Sequence, residues 1–314
     1  MTKIIFFGTP DYVLPILETL QKAFRQKSGE STIAAVVTQK PKPVGRKKKV
    51  TFSPIDKWAH KRKIDIFYNP EDLLNKNINA DLGILASYGE IVPEKVIKLF
   101  PKGIINIHPS LLPKYRGASP IQAEIILEKG QVGVSFIKLD NKLDHGQILS
   151  FFNEEIEKDD TAFSLRKGLF EKSGEVLVPL LEAYLKGKVK LKEQDHESAT
   201  YTRVLKKADA FIPGHFLNAA IEGEVLKKKW NIGFIRTCQI GPSAQNIEKF
   251  IRAMSPWPIA WSEIMIDKKT KKRIKIIKAS LKGNKLILEA VQLEGKNEVT
   301  WKQFNEGYKT ATFL

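Results

Sequence analysis

Short apolar runs alternate with segments of helical periodicity through the first half of the chain. Residues 3–7 and 33–37 are compact, largely β-branched or aromatic runs, and between them apolar residues recur at helical spacing from Val13 to Phe24. Alternation of this kind is typical of a parallel sheet that is covered by helices on both faces. The sequence therefore predicts an α/β domain with a mostly parallel sheet.

The same patterns continue to about residue 186. Ser53 and Pro54 form an N-cap followed by a first-turn proline, which predicts a helix to about Arg62. Further helices are predicted to begin at Pro93, to run from Pro120 to about Glu128, and to run from Thr161 to about Lys186. The remaining strands are predicted at residues 64–67, 82–86, 104–108 and 133–139.

The second half of the chain has a different pattern. Residues 187–204 are polar, without an apolar stripe, and are interpreted as a linker. From about Leu226 the sequence favours short strands, including residues 264–266, 274–279 and 285–291. We expect an N-terminal domain over residues 1–186, the linker over 187–204, and a small β-barrel domain over 205–314.

Charge narrows the class of partner. The chain has 52 Lys and Arg against 35 Asp and Glu, a net charge of +17, and the excess is concentrated at residues 40–49 and 268–278. Clustered cations favour a polyanion such as nucleic acid. The alternative is that these runs are ordinary solvated surface.

Composition also limits the compartment and the chemistry. Cys238 is the single cysteine, so the chain has no internal disulfide and no cysteine-rich zinc site. No stretch approaches the 18 apolar residues typical of a membrane span. We expect a cytoplasmic protein with no membrane association and no metal.

Two polar residues lie on the strand predicted at residues 104–108. Asn106 and His108 are two positions apart and therefore point to the same side, at the end of the strand where open α/β sheets bind ligands. His108 can exchange a proton, Asn106 can donate to an oxyanion, and the Asp144 carboxylate can orient the imidazole. Alternatively, Asn106 and Asp144 are turn residues and His108 is a satisfied core histidine.

Two motifs resemble the folate-dependent formyltransferases. They are NIHPSLLPKYRGASPIQ at residues 106–122 and LDHGQIL at 143–149. The opening FFGTPDY, the loop TQKPKPVGRKKK and SYGEIVP resemble the members of that family that act on methionyl-tRNA. RAMSPWPIAW at residues 252–261 resembles the start of their C-terminal barrel, so the similarity extends over nearly the full chain.

The resemblance implies a Rossmann-like formyltransferase domain followed by a small OB-like β-barrel that binds tRNA. It implies transfer of the formyl group of 10-formyltetrahydrofolate, a co-substrate, to the α-amino group of methionyl initiator tRNA, for translation initiation. We expect a monomer. A formyltransferase acting on a sugar-nucleotide or other small amine is the alternative enzyme, and a non-enzymatic RNA-binding protein is the alternative class.

The resemblance also implies roles for individual residues. The catalytic set is Asn106, His108 and Asp144. The folate is expected to bind two loops, with the residues Ser87, Tyr88, Gly89, Ile91, Val92, Ser110, Leu111, Leu112 and Pro113. The tRNA is expected to bind the two basic runs through Lys40, Lys42, Gly45, Arg46, Lys47, Lys48, Lys49, Lys271, Lys272 and Arg273.

Overall fold

The computed structural model describes residues 2–24, 31–44, 48–76, 78–128 and 130–314. The strands within these ranges are β1 (Ile4–Gly8), β2 (Ile33–Val37), β3 (Lys42–Val44), β4 (Lys49–Thr51), β5 (Asp65–Phe67), β6 (Leu82–Ala86), β7 (Ile104–His108), β8 (Arg116–Gly117), β9 (Gln131–Lys138), β10 (Ile148–Glu155), β11 (Tyr201–Thr202), β12 (Trp230–Asn231), β13 (Gln239–Ile240), β14 (Ala260–Met265), β15 (Lys271–Lys282), β16 (Lys285–Leu293), β17 (Glu298–Thr300) and β18 (Thr312–Phe313). The helices are α1 (Leu14–Ala23), α2 (Pro54–Lys61), α3 (Glu94–Ile97), α4 (Pro120–Leu127), α5 (Ala162–Leu185), α6 (Gly214–Glu222), α7 (Ala244–Ala253) and α8 (Trp301–Gly307).

A seven-stranded sheet forms the core of the first half, in the order β10-β9-β7-β6-β1-β2-β5. The β1/β2, β1/β6, β2/β5 and β6/β7 pairs are parallel, and the β7/β9 pair is antiparallel. The predicted Rossmann-like domain with a mostly parallel sheet is confirmed, and the region predicted as a small OB-like β-barrel contains a five-stranded antiparallel sheet. Every residue of β1 and of β7 is buried, which explains why these strands read as unbroken apolar runs apart from Asn106 and His108.

The predicted helix starts are also confirmed. The Ser53 hydroxyl accepts a hydrogen bond from the Asp56 backbone N–H at 3.0 Å, and Pro54 occupies the first turn of α2. Pro93 precedes α3, Pro120 begins α4, and α5 begins directly after Thr161.

The second half contains a five-stranded antiparallel sheet in the order β17-β16-β15-β14-β18. The strands predicted at residues 274–279 and 285–291 lie within β15 and β16. The strand predicted at residues 264–266 overlaps the end of β14, which stops at Met265. Two helices in this half, α6 and α7, were not predicted. In α7 the Ser243 hydroxyl caps the helix, and Ile247, Phe250 and Ile251 are buried at helical spacing.

The chain divides into two compact units, and neither is continuous in sequence. The first comprises residues 1–116, 132–154 and 166–199, and the second comprises residues 117–131, 155–165 and 200–314. Within the ranges described above, no helix is long and apolar enough to cross a membrane.

Two glycines provide a test of packing in the first unit. A Cβ on Gly133, in β9, would lie 2.1 Å from the Phe152 carbonyl oxygen, whereas a Cβ on Gly168, in α5, would meet no atom within 4 Å. We predict that Gly133→Ala lowers the free energy of unfolding by about 1–3 kcal/mol through overpacking. We predict that Gly168→Ala raises it by about 0.5–1 kcal/mol because alanine favours the helix. Urea denaturation of both variants checks this pair, and equal shifts of the same sign would contradict it.

Candidate active site

The site is centred on the carboxyl end of β7. Asn106 and His108 lie opposite Ile137 and Ser135 of β9, and both side chains are buried. Because successive strand residues alternate in direction, the carboxamide and the imidazole leave the strand on the same side. The parallel partner β6 ends beside them, since Leu85 pairs with Asn106.

Asp144 brings these two side chains together. Its Oδ1 accepts a hydrogen bond from Asn106 Nδ2 at 3.2 Å and lies 3.5 Å from His108 Nδ1. The side chains of His108 and Asp144 are 5% and 11% exposed, so this carboxylate and imidazole meet in a poorly hydrated environment. The structure thus places the three predicted catalytic residues in one cluster.

Both ring nitrogens of His108 face acceptors. Nε2 lies 3.2 Å from the Tyr115 carbonyl oxygen, which can only accept a hydrogen bond, and Nδ1 faces the Asp144 carboxylate. A ring that carries protons on both nitrogens satisfies both neighbours. Such a ring can donate to an oxyanion, or give up one proton, once a substrate oxygen replaces the Tyr115 carbonyl.

The loop after β7 is held by two serines. Ser135 Oγ donates to the Ser110 carbonyl at 2.8 Å and accepts from the Leu112 backbone N–H at 3.0 Å. The Ser110 hydroxyl donates to the Lys114 carbonyl at 2.7 Å. Ser110 and Leu112 are buried, while Leu111 and Pro113 are partly exposed. Of these four predicted folate-binding residues, only Leu111 and Pro113 therefore expose surface to a ligand.

The loop after β6 lies at the same edge of the sheet. Thr9 Oγ1 donates to the Tyr88 carbonyl at 3.0 Å and accepts from the Gln39 backbone N–H at 3.3 Å, which joins the ends of β1, β2 and β6. Ser87 and Gly89 have φ values of 48° and 82°, so the backbone turns sharply there. Ile91 is 88% exposed, whereas Val92 is buried.

Tyr88 is the most enclosed of the folate candidates. Its side chain is fully buried, and its hydroxyl donates to Glu90 Oε2 at 3.4 Å. Burial, followed by the nearby Glu90 charge, raises the pKa of the Tyr88 phenol above its ordinary range. The phenol is therefore neutral at physiological pH and acts as a hydrogen-bond donor or as an apolar surface.

The first basic run forms a small hairpin, in which β3 pairs with β4. Lys40, Lys42, Lys48 and Lys49 are exposed, and Lys42 Nζ donates to Gln39 Oε1 at 3.1 Å. Gly45, Arg46 and Lys47, which were also predicted to contact tRNA, lie outside the described residues.

The second basic run lies on β15, where part of its charge is already compensated. Lys271 Nζ is 2.7 Å from Glu263 Oε2, and the Arg273 guanidinium lies 4.3 Å from the centre of the Trp261 ring. Lys271 and Arg273 are exposed, and Lys272 is partly buried. A linear sequence shows the cations of this run but not the glutamate on the neighbouring strand.

Sequence reasoning missed the residues that hold the Asp144 loop. Gln194 lies in the segment predicted as a linker, yet it is buried and donates to the Asp144 and Gly146 carbonyls. Arg116, also buried, donates to Gln194 Oε1. No periodicity marks a single buried glutamine in a polar stretch, so only the folded chain reveals it. No group of three or more His, Cys, Asp or Glu side chains that could hold a metal ion is found in the part of the chain that is described.

Comparisons with known proteins find formyl transferase families in both halves of the chain. A family described as "Formyl transferase" matches residues 2–181, and one described as "Formyl transferase, C-terminal domain" matches residues 241–286. A methionyl-tRNA formyltransferase of Buchnera aphidicola is 35% identical over 82% of this chain and 74% of its own length. One from Methylacidiphilum infernorum is 32% identical over 99% of this chain and 97% of its own length.

A solved structure shows the same fold at lower identity. The N-formyltransferase from Helicobacter canadensis, in complex with folinic acid and dTDP-3-aminofucose, matches with a TM-score of 0.61 and 18% identity. The match covers 96% of this chain and 99% of that one. At this identity the likeness establishes the fold alone.

Proposed function

The chain belongs to the formyl transferase family, and on that basis we propose that it transfers a formyl group from 10-formyltetrahydrofolate to the α-amino group of methionyl initiator tRNA. It is a one-carbon group transferase. The observation that carries this proposal is the convergence of Asn106, His108 and Asp144 at the carboxyl end of β7, in a chain whose relatives are methionyl-tRNA formyltransferases.

The reaction requires a hydrogen-bond donor to the developing oxyanion and a route for proton transfer. The α-amine attacks the formyl carbon and loses a proton, the carbonyl oxygen becomes an oxyanion, and collapse of the tetrahedral centre expels the folate N10, which takes up a proton. In this assignment the Asn106 carboxamide and the His108 imidazole donate to the oxyanion. Asp144 Oδ1 faces the imidazole Nδ1 and accepts from Asn106, so one carboxylate orients both donors.

Substrate access requires a local change near His108. The imidazole is almost fully buried, and its Nε2 faces the Tyr115 carbonyl. We infer that the formyl oxygen replaces this carbonyl as the partner of Nε2. Tyr115 has a φ of 58°, a backbone conformation that is uncommon for a residue with a side chain.

The folate is assigned to the two loops beside this cluster. Residues 87–92 and 110–113 follow β6 and β7, which are parallel neighbours, so both loops leave the sheet at the same edge as His108. Exposed Ile91 and partly exposed Leu111 offer apolar surface to a pterin ring, and the backbone groups of these loops can pair with its polar edge. The formyl donor would then lie with its N10 near Asp144.

The tRNA is assigned to the hairpin β3/β4 and to β15. Exposed lysines on the hairpin supply phosphate contacts, and the partly compensated cations of β15 supply weaker ones. We propose a catalytic domain over residues 1–186 and a tRNA-binding domain over 205–314, joined by a linker over 187–204 whose residues 187–199 belong to the first compact unit. The family matches at residues 2–181 and 241–286 lie within the two proposed domains. We also propose that the protein is a cytoplasmic monomer.

The direct test of substrate class is formylation by the purified protein with 10-formyltetrahydrofolate. We expect methionyl initiator tRNA to be formylated, and an elongator methionyl-tRNA or a dTDP-amino sugar to react far more slowly. Preference for the amino sugar would support the sugar-nucleotide alternative. Binding of tRNA without any transfer would support the RNA-binding alternative.

The catalytic assignment predicts the effect of two substitutions. His108→Ala and Asp144→Asn should each lower kcat by about 100 to 1,000-fold, the usual cost of losing an oxyanion donor or its orientation. Folate binding should change much less than kcat, because the pterin ring is assigned to the loops at residues 87–92 and 110–113 and an oxyanion donor acts most strongly in the transition state. Steady-state kinetics and equilibrium folate binding measure the two effects separately.

Matched substitutions on exposed residues serve as controls. His60→Ala on α2 and Asp65→Asn on β5 change the same chemical groups at exposed positions and should leave kcat unchanged. Turnover at the original rate in His108→Ala, or equal losses in His60→Ala, would contradict the assignment.

The tRNA assignment predicts a change in salt dependence. The double variant Lys48→Ala/Lys49→Ala should weaken tRNA binding and reduce the slope of log K against log salt by up to about 0.7–0.9 for each phosphate that is no longer neutralised. Fluorescence anisotropy from 50 to 300 mM salt, roughly the range in which such slopes are resolved, provides the measurement. Lys98→Ala/Lys102→Ala removes the same charge from exposed positions around α3. An identical slope in both double variants would refute the hairpin contact.

A further inference from the structure

One buried glutamine binds the loop that carries Asp144. Gln194 Nε2 donates to the Asp144 carbonyl at 2.9 Å and to the Gly146 carbonyl at 2.7 Å. These carbonyls flank His145, so one amide nitrogen fixes the backbone on both sides of it. Gln194 is 5% exposed, which shields these bonds from competition with water.

Arg116 determines which way the glutamine amide points. Its Nε and Nη2 donate to Gln194 Oε1 at 3.2 and 2.6 Å, and a guanidinium can only donate. The amide oxygen must therefore face Arg116, and the nitrogen must face the two loop carbonyls. Because the arginine carries a full charge, its hydrogen bonds also polarise the amide and strengthen its donation.

Arg116 is also connected to the loop through His196, which contacts His145. Arg116 Nη2 donates to His196 Nδ1 at 2.8 Å, and the His196 ring stacks on the His145 ring with a centroid distance of 3.8 Å and an interplanar angle of 5°. His145 Nδ1 lies 2.7 Å from Asp140 Oδ2. The loop is thus fixed through both its backbone and its His145 side chain.

Asp144 needs such support because of its backbone conformation. Its φ is 47°, in the left-handed region, which residues with a side chain adopt infrequently. A Cβ on Gly146 would lie 1.7 Å from the Lys138 carbonyl oxygen, so the loop is also pressed against the end of β9. A shift of this loop would move Asp144 Oδ1 away from both Asn106 and His108.

We propose that Gln194, oriented by Arg116, is a positioning residue for the formyl transfer reaction: it holds the Asp144 backbone so that the carboxylate reaches Asn106 and His108. Gln194 acts through Asp144 and not by contact with substrate. The inference rests on the proposed catalytic function of that cluster.

The sharpest variant is Gln194→Glu. A glutamate keeps the pairing with Arg116, but its second oxygen faces the Asp144 and Gly146 carbonyls and cannot donate to them. We expect kcat to fall by about 10 to 100-fold, the scale produced by a displacement near 1 Å, while KM for both substrates stays within about twofold. Gln21→Glu is the matched control, because among the described residues the hydrogen bonds of the Gln21 side chain are made by its oxygen, which accepts from the Ser31 hydroxyl and the Ile33 N–H. It should keep the original kcat.

A double-mutant cycle separates positioning from general support of the fold. If Gln194 acts through Asp144, then Gln194→Glu should cause no further loss of kcat in an Asp144→Asn background. Losses that multiply in the double variant, or an original kcat in Gln194→Glu, would overturn the proposal. Gln194→Asn, one methylene too short to span Arg116 and both carbonyls, should reproduce the loss of kcat if the glutamate variant does not fold. Thermal unfolding confirms that the compared variants are folded.

A crystal structure of Gln194→Glu decides the question independently of the substrate. We expect the Asp144 Oδ1 to His108 Nδ1 distance to increase from 3.5 Å by about 1 Å or more. An unchanged distance would overturn the positioning role even if the protein formylates methionyl-tRNA. Failure of the original chain to formylate methionyl-tRNA, with the distance changed in the variant, would instead reject the proposed function and leave the positioning role intact.

Discussion

A single carboxylate oxygen, Oδ1 of Asp144, joins the two polar side chains that β7 carries into the sheet. It accepts from Asn106 Nδ2 and faces His108 Nδ1, in surroundings that exclude most water. In such surroundings an unpaired carboxylate, imidazole or carboxamide is costly, so each group stabilises the burial of the others. The proposed reaction uses the same two side chains, because the Asn106 carboxamide and the His108 imidazole are both hydrogen-bond donors of the kind that a developing oxyanion requires. Stability and proposed chemistry therefore depend on the same contacts.

The sheet supplies the geometry for this arrangement. Strand alternation places Asn106 and His108 on one side of β7, and antiparallel pairing with β9 places Ser135 beside His108, where its hydroxyl fixes the Ser110–Leu112 backbone. The parallel neighbour β6 brings its loop to the same edge. The loops after β6 and β7 thus meet where these parallel strands end, the usual location of ligand sites in open α/β sheets.

Much of this was predictable from the sequence, and the exceptions have physical causes. The central parallel strands β1, β2, β6 and β7 were predictable because buried parallel strands are continuous apolar runs. Helix α2 was predictable because Ser53 and Pro54 mark its start. The sequence also predicted that the Asn106 and His108 side chains point to the same side, because side chains two positions apart on a β-strand do so. The residue types suggested that Asp144 contacts His108, but spacing did not determine this contact, because it depends on the course of a loop. Gln194 and the Glu263 partner of Lys271 were missed because long-range contacts of polar residues leave no periodic signal.

The proposed reaction requires Asn106, His108 and Asp144 to converge on the carbonyl of the transferred formyl group. A crystal structure with a stable folate analogue that carries its formyl group on N10 measures this directly. We predict that the formyl oxygen lies about 2.7–3.1 Å from Asn106 Nδ2 and from His108 Nε2. We also predict that the Tyr115 carbonyl is displaced from Nε2. A formyl group bound away from these two nitrogens, with Nε2 still facing Tyr115, would contradict it.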